Sequence, residues 1–382
     1  MVIIKKCESY DLTLVTEKIK ESLNEIDAFK NLRSTDKVFI KCNCVSGFLP
    51  SRGITTHPVV LRSVIRLLKA KTNNIIVGDN PAIKDMVLTL KKCGLYDVII
   101  EEGCEVLCNT EFETITNSHY KIYSEFEVSA NMVNVDMIVN LPKIKTHSLA
   151  YMTVAQKNFF GLIYGLNKSS WHTKASDPKT FGNALNDLYG ALLEKMNGKP
   201  IINIADGIIG LEGEGPSSGG HAIKSGVLLT SLDAVSLDRV AVDLVHMDYK
   251  KLFINQIASA RGYGVGQIDK IVIKGDPLSS FDIHYTPPKD ALSNIGLRFL
   301  KLKPIKSLLL EHPKINKDKC VKCGACAKIC PVQAMTITKP DYPKIETMKC
   351  IRCWCCAEVC PNNAIEKTKR PLLGKIILKT DK

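Results

Sequence analysis

Eight of the nine cysteines after residue 319 are spaced as two copies of one run. The first is Cys320-x-x-Cys323-x-x-Cys326-x-x-x-Cys330-Pro331, the second Cys350-x-x-Cys353-x-x-Cys356-x-x-x-Cys360-Pro361. Thiolates at this spacing are iron–sulfur ligands, able to occupy the corners of a cubane [4Fe–4S] cluster. Structural zinc takes four ligands, usually as two separated pairs, and does not demand a doubled run. The repeat continues past the cysteines, since Cys330-Pro-Val-Gln-Ala334-Met335 parallels Cys360-Pro-Asn-Asn-Ala364-Ile365. Proline after the fourth cysteine cannot donate a backbone hydrogen bond and redirects the chain. Each copy is therefore predicted to open one half of a pseudo-twofold αβ unit, with two clusters in all.

Residues 314–369 resemble the two-[4Fe–4S] bacterial ferredoxins. In those proteins the fourth cysteine of each run ligates the other run's cluster. The resemblance implies that Cys320, Cys323, Cys326 and Cys360 hold one cluster, and Cys350, Cys353, Cys356 and Cys330 the other. It also implies one-electron transfer. The segment is rich in lysine, which stabilises a reduced and more negative cluster. Cys355 reads as packing, because four correctly spaced thiolates already exist in its run.

The second group of residues with chemical potential stands at predicted strand ends. Lys37–Lys41, Asn74–Val77, Asp136–Asn140, Pro200–Ile204 and Gly226–Thr230 read as strands. Asp11–Leu32, Pro58–Lys71, Lys84–Cys93, Phe181–Met196 and Leu232–His246 read as helices, and Ile271–Ile273 closes the domain. This alternation predicts an α/β domain with a mainly parallel sheet over residues 1–279. Four strands run into polar or glycine-containing segments: Lys41-Cys42-Asn43-Cys44, Gly78-Asp79-Asn80, Asn140 to His147, and Ala205-Asp206-Gly207. Ligands of such sheets bind beyond the carboxyl ends of the strands, so parallel neighbours would bring these segments to one cleft. Its candidates are Asp79, Lys143, Lys145, His147 and Asp206, with Lys41 and Lys157. Lysines suit a carboxylate or phosphate. The aspartates suit a metal or acid–base work, and His147 a proton shuttle or ligand. His57 either caps the helix opened by Pro58 or points into the cleft. Trp171-His172 reads as lid or surface. Gly207–Gly220 holds six glycines, read as a mobile loop or an anion cradle; it lacks the Walker A lysine. Arg261-Gly-Tyr-Gly-Val-Gly266 lacks dinucleotide-binding spacing.

The order Lys41-Cys-Asn43, Thr55-Thr-His57-Pro58, Gly78-Asp79, Asn140-Leu-Pro-Lys-Ile-Lys-Thr-His147, Gln156-Lys-Asn-Phe-Phe-Gly161, Asp206-Gly207, Glu214-Gly-Pro216 and Asp233-Ala234 resembles the bacterial and archaeal family called domain of unknown function 362, over residues 35–275. Its members often carry a C-terminal two-cluster ferredoxin module. The resemblance implies an α/β domain without a settled reaction. Where the family usually reads Lys-Pro-Asn, this chain has Lys41-Cys42-Asn43-Cys44, placing two thiols at a strand end that faces the expected cleft, read either as small buried thiols or as a metal or redox pair.

The 382 residues carry a net charge of +13 and fifteen cysteines. The lysines are spread without a nucleic-acid motif, so the charge points to acidic redox partners, such as an acidic ferredoxin, a flavodoxin or an oxidoreductase. No apolar run approaches the roughly 18 residues of a membrane span, and the N-terminus lacks a signal-peptide apolar region. The expectation is a cytoplasmic, reducing compartment, with Cys7, Cys42, Cys44, Cys93, Cys104 and Cys108 as free thiols. Residues 280–313 read as a proline-rich linker, with the basic and apolar Asn294–Lys303 read as a short helix packed between domains or, alternatively, as a contact to an anionic membrane. Residues 314–369 form the small α+β two-cluster domain, and 370–382 a basic tail able to dock back as a strand. The predicted protein relays electrons between its clusters and an α/β domain that binds a small anionic ligand or metal. The alternative is a redox enzyme, with the α/β domain as catalyst and the clusters as its built-in donor.

Overall fold

The structure, a computed structural model, describes residues 1–81, 85–165, 167–175, 177–288, 309–369 and 371–373. In the larger half the strands are β1 (Val2–Lys6), β2 (Val38–Lys41), β3 (Ile75–Gly78), β4 (Glu105–Val106), β5 (Phe112–Thr116), β6 (Glu125–Ser129), β7 (Met137–Asn140), β8 (Lys143–His147), β9 (Tyr151–Thr153), β10 (Ile201–Gly213), β11 (Gly220–Ser231) and β12 (Ile273–Gly275). Ten of them make one mixed sheet in the order β12-β1-β11-β10-β7-β2-β3-β4, with β8 and β9 branching from β10. β10, β7, β2, β3 and β4 are parallel neighbours; β11 is antiparallel to both β10 and β1. β2, β3 and β7 are buried on both faces, as their continuous apolar runs require of a covered parallel sheet.

The covering helices start where the sequence supplies caps. The side chains of Asp11, Asp177 and Asp233 accept from the first free backbone N–H groups of Leu12–Glu25, Pro178–Met196 and Ala234–Leu244. The helix predicted over Asp11–Leu32 stops at Glu25, and Asp27 then adopts φ 50°. Met86–Lys92 is capped by Asp85, and Gly94 (φ 69°) opens a helix, Leu95–Glu101, that the sequence reading missed.

The glycine-rich segment corrects the reading of it as a loop. Gly207, Gly210 and Gly213 belong to β10, which pairs with β11 along a long hairpin. A Cβ on Gly210 would stand 1.7 Å from the Tyr285 hydroxyl, so glycine there allows a close approach within a strand. The pairing is interrupted by a register shift between Gly207 and Ile209, and the turn between β10 and β11 is irregular.

The small half repeats itself in backbone as well as sequence. Lys322 and Arg352, Gly324 and Trp354, and Gln333 and Asn363 all take positive φ, each pair 30 residues apart. The Ala334 and Ala364 N–H groups donate to Cys330 Sγ and Cys360 Sγ, both at 3.2 Å. Ile329, Met335, Val359 and Ile365 form its own core. Phe281, Ile283 and Tyr285 are buried in the larger core. Asn294–Lys303 and residues 374–382 lie outside the described residues.

A candidate functional site between the two halves

The parallel order of β10, β7, β2 and β3 gathers the polar segments that follow them. Asn43 donates to Asn158 Oδ1 (2.7 Å), Asn158 to Asn140 Oδ1 (2.7 Å), and Asn140 to Asn203 Oδ1 (2.8 Å). This amide chain ties the strand ends together below the site. Lys145 Nζ donates to Asn43 Oδ1 and the Ile54 carbonyl, both at 2.7 Å. Lys41 Nζ donates to Asp79 Oδ1 (2.6 Å), and Asp79 Oδ2 accepts the Cys44 N–H (2.8 Å). Burial works to raise the Asp79 carboxyl, yet Lys41 and Lys168 hold it below the usual range.

Gly161 shows why Lys-Asn-Phe-Phe-Gly ends in glycine. A Cβ there would lie 2.3 Å from Asp79 Oδ1 and 2.4 Å from Lys41 Nζ. Gly161→Ala is therefore expected to push the buried pair apart and cost about 1–3 kcal/mol, as other overpacked interiors do. Denaturant unfolding followed by circular dichroism checks this; an unchanged midpoint contradicts it.

Above these residues lies a cavity of about 120 Å³. The larger half contributes Asp79, Lys145, His147, Thr153, Lys157 and Lys168; the small half closes it with Ile329, Cys355, Glu358 and Val359. Burial lowers the Lys145 ammonium to about 7, with Lys157 adding repulsion. It lowers Lys157 to about 8 against the attraction of Glu358, and Lys168 to about 7 against that of Asp79. Burial raises the Glu358 carboxyl despite Lys157. Lys157 Nζ lies 4.6 Å and 5.6 Å from the Phe160 and Phe181 ring centres and donates no hydrogen bond among the described residues. Thr153 Oγ1 and Glu358 Oε1 also lack hydrogen-bond partners there; His147 Nε2 is 3.7 Å from Glu358 Oε1. Buried polar atoms are normally paired, and the three lysines supply groups able to pair with an anion.

Asp206 and Lys143 stand elsewhere, correcting the expectation of one shared cleft. β10 continues beyond its neighbours' ends, so Asp206 pairs sideways with β8 and β11. Its carboxylate accepts from Lys143 Nζ (2.7 Å), the Tyr10 hydroxyl (2.8 Å) and the His57 N–H (3.2 Å). His57 caps its helix through Nδ1, which accepts from Val59 N–H, and its ring stacks on Tyr10 at 3.4 Å. Burial pulls His57 down to about 4, only partly offset by Asp206. The unfolded chain thus binds the extra proton first: stability falls as pH drops below about 6.5 and the loss is complete near 4. His57→Asn, which can still cap, is expected to flatten stability over that window, measured by urea unfolding from pH 7 to 4.

Cys42 and Cys44 do not line the cavity. Both are fully buried, and the Cys44 thiol meets that of Cys93, a contact that with burial raises it well above an ordinary thiol. Among the described residues no three His, Cys, Asp or Glu side chains converge as ligands of a single metal ion. In a cubane each thiolate binds its own iron, and the sulfurs stand apart around the cluster. A separate cavity in the small half is lined by Cys330, Cys350, Cys353 and Cys356. Cys326, in turn, feels the charges of Cys323, Cys360 and Cys320. Each foursome includes the last cysteine of the other run.

Residues 38–243 match the family model for the domain of unknown function DUF362. The chain belongs to that family. Residues 313–336 and 343–366 match the 4Fe–4S binding domain, so the small half binds [4Fe–4S] clusters and serves iron–sulfur electron transfer. A curated relative, the thylakoid-associated protein sll1697 of Synechocystis sp., is 27% identical over 249 residues, covering 65% of this chain and 75% of its own. Two solved structures align at lower similarity. One is a Thermotoga maritima protein (12% identity, TM-score 0.39, 65% of this chain and 59% of its own). The other is the lactate racemase apoprotein of Thermoanaerobacterium thermosaccharolyticum (14%, 0.38, 64% and 57%). This chain thus spans less than two thirds of either structure.

Within the DUF362 domain, then, Asp79, Lys145, His147 and Lys157 meet at the cavity, while Lys143 and Asp206 form a buried pair behind it. Trp171 is neither lid nor surface; it is buried against Phe160, Tyr123 and Phe126. The side chain of His172 lies outside the described residues. Sequence reasoning missed Thr153, Lys168, Glu358 and the placement of Cys355. Glu358 sits between two cluster cysteines, where spacing draws the eye to sulfur alone. Among the described residues no helix is long and apolar enough to cross a membrane.

Proposed function

We propose that this protein carries electrons through two [4Fe–4S] clusters to or from a small anionic ligand held between its halves. One cluster is held by Cys320, Cys323, Cys326 and Cys360, the other by Cys350, Cys353, Cys356 and Cys330. One observation carries the reading. Cys355, which lines the lysine-bearing cavity, also lines the cavity of the second foursome, and its thiol touches that of Cys353. When bound, a [4Fe–4S] cluster gives or takes one electron at a time. The chain's own residues do the rest. Lys145, Lys157 and Lys168 attract and orient the anion, the Phe160 and Phe181 rings exclude water, and Lys157 holds a proton at Nζ, facing the cavity.

Lysines held near neutrality favour the second reading, in which the DUF362 domain is the catalyst and reduction of the ligand is accompanied by proton transfer. Electrons enter from an acidic redox protein at the other end. Cys323 is exposed there, and residues 314–369 hold eleven lysines and arginines against five acids. The compartment is reducing and cytoplasmic.

The test is anaerobic purification with iron and sulfide analysis, then dithionite reduction with and without an anion such as phosphate. About eight irons per chain, and a reduced-cluster paramagnetic signal altered by the anion, support the reading; an iron-free protein sinks it. Lys157→Met is expected to weaken phosphate binding at least tenfold in calorimetry. Affinity of the native protein is expected to fall as pH rises through about 8, where Lys157 loses its proton.

A further inference from the structure

The lysine-bearing cavity does not end at Glu358. A second and larger cavity, of about 270 Å³, lies between the β10–β11 turn and the second cysteine run. Pro216 and Glu358 line both, so the two chambers adjoin at these residues. Close packing sets that junction: a Cβ on Gly215 would stand 2.1 Å from the Thr146 carbonyl, so glycine lets the turn seat Pro216 there.

The chambers differ in chemistry. Lys145, Lys157 and Lys168 face the inner one. In the outer one Lys367 pairs with Glu214 and Glu366 with Lys319, Glu358 stands at the wall shared with the inner chamber, and Lys367 Nζ lies 5.1 Å from the Trp354 ring centre. What remains is the Trp354 indole, with Ser148, Ser217 and Asn363 around it. Trp354 also holds φ 62°, where its counterpart in the first repeat is Gly324. A bulky side chain at positive φ is an outlier, and such strain gathers at ligand sites.

We propose that the two chambers form one bipartite site for an elongated organic anion, whose carboxylate or phosphate head lies among the lysines and whose flat, hydrogen-bonding tail lies on Trp354. This deepens the preceding proposal and rests on its anion-binding chamber. A bare inorganic oxyanion fills only half the site. The tail would emerge between the halves, so both domains contribute to recognition, the small one through Trp354 and Glu358.

The test compares acetate, a head without a tail, with hippurate, a carboxylate joined through an amide to a ring. Calorimetry on the reconstituted full chain is expected to give at least tenfold tighter binding of hippurate. Trp354→Ala should abolish that advantage and leave acetate unchanged, Trp354→Phe should keep it, and Lys157→Met should weaken both probes. Iron analysis confirms that each variant keeps its clusters. Independently of any change at Trp354, hippurate but not acetate should quench the remaining indole fluorescence of Trp171→Phe. Equal affinities for the two probes, or an advantage that survives Trp354→Ala, overturn the bipartite site and leave the inner anion site standing. Binding of neither probe overturns both.

Discussion

Cys360→Ala protein is expected to lose the iron associated with the first cysteine run, although Cys360 belongs to the second. The Cys330 and Cys360 side chains each lie with three thiols of the opposite run, by the cavity of Cys330, Cys350, Cys353 and Cys356 and by the charges acting on Cys326. Iron should fall from about eight to about four per chain. Combination with a second change decides which four. Cys320→Ala added to Cys360→Ala should remove no more iron, because both act on one cluster. Cys350→Ala added to Cys360→Ala should remove nearly all. If ligands were confined to their own runs, the two combinations would give the opposite result. The backbone gives the crossing a physical basis: Ala334 and Ala364 each donate to the sulfur four residues earlier, fixing Cys330 and Cys360 alike across the pseudo-twofold. Losing one sulfur also opens an iron to water, so the variants are best compared by anaerobic iron analysis and Mössbauer spectroscopy.

Much of this was legible from residue spacing, because a cluster loop is a local object. The α/β alternation was legible too, since β2, β3 and β7 are short apolar runs that need cover on both faces. So was the gathering of Asn43, Asp79, Lys145 and His147, because parallel strands place their carboxyl ends side by side. The remainder depended on contacts between distant segments. Nothing local in Gly207–Gly213 says strand; Gly207 and Gly210 are explained by Val227 and Tyr285, which approach from elsewhere. Asp206 follows a strand run in sequence as Asp79 does, yet β10 outruns its neighbours and carries Asp206 past the site. Glu358 and Cys355 enter the cavity only because the cluster half docks on the DUF362 domain, with Ser218 Oγ donating to the Cys360 carbonyl at 3.1 Å. No periodicity within either half encodes that meeting.

Lys143→Met is expected to be among the most damaging single changes in the DUF362 domain, although Lys143 does not line the cavity. The Lys143 ammonium and the Asp206 carboxylate are both 0% exposed and 2.7 Å apart. Methionine is similar in length and removes only the charge. Asp206 would keep its bonds from Tyr10, the His57 N–H and the Ile208 N–H, but it would lose its counter-ion. Breaking a buried pair by removing one partner costs about 3–5 kcal/mol. The companion change Lys143→Met with Asp206→Leu should cost less than Lys143→Met alone, because no stranded charge remains. Urea unfolding of the single and double variants separates this cause from lost packing. An equal loss in both would mean that the packing of the lysine, and not its charge, holds β8 against β10.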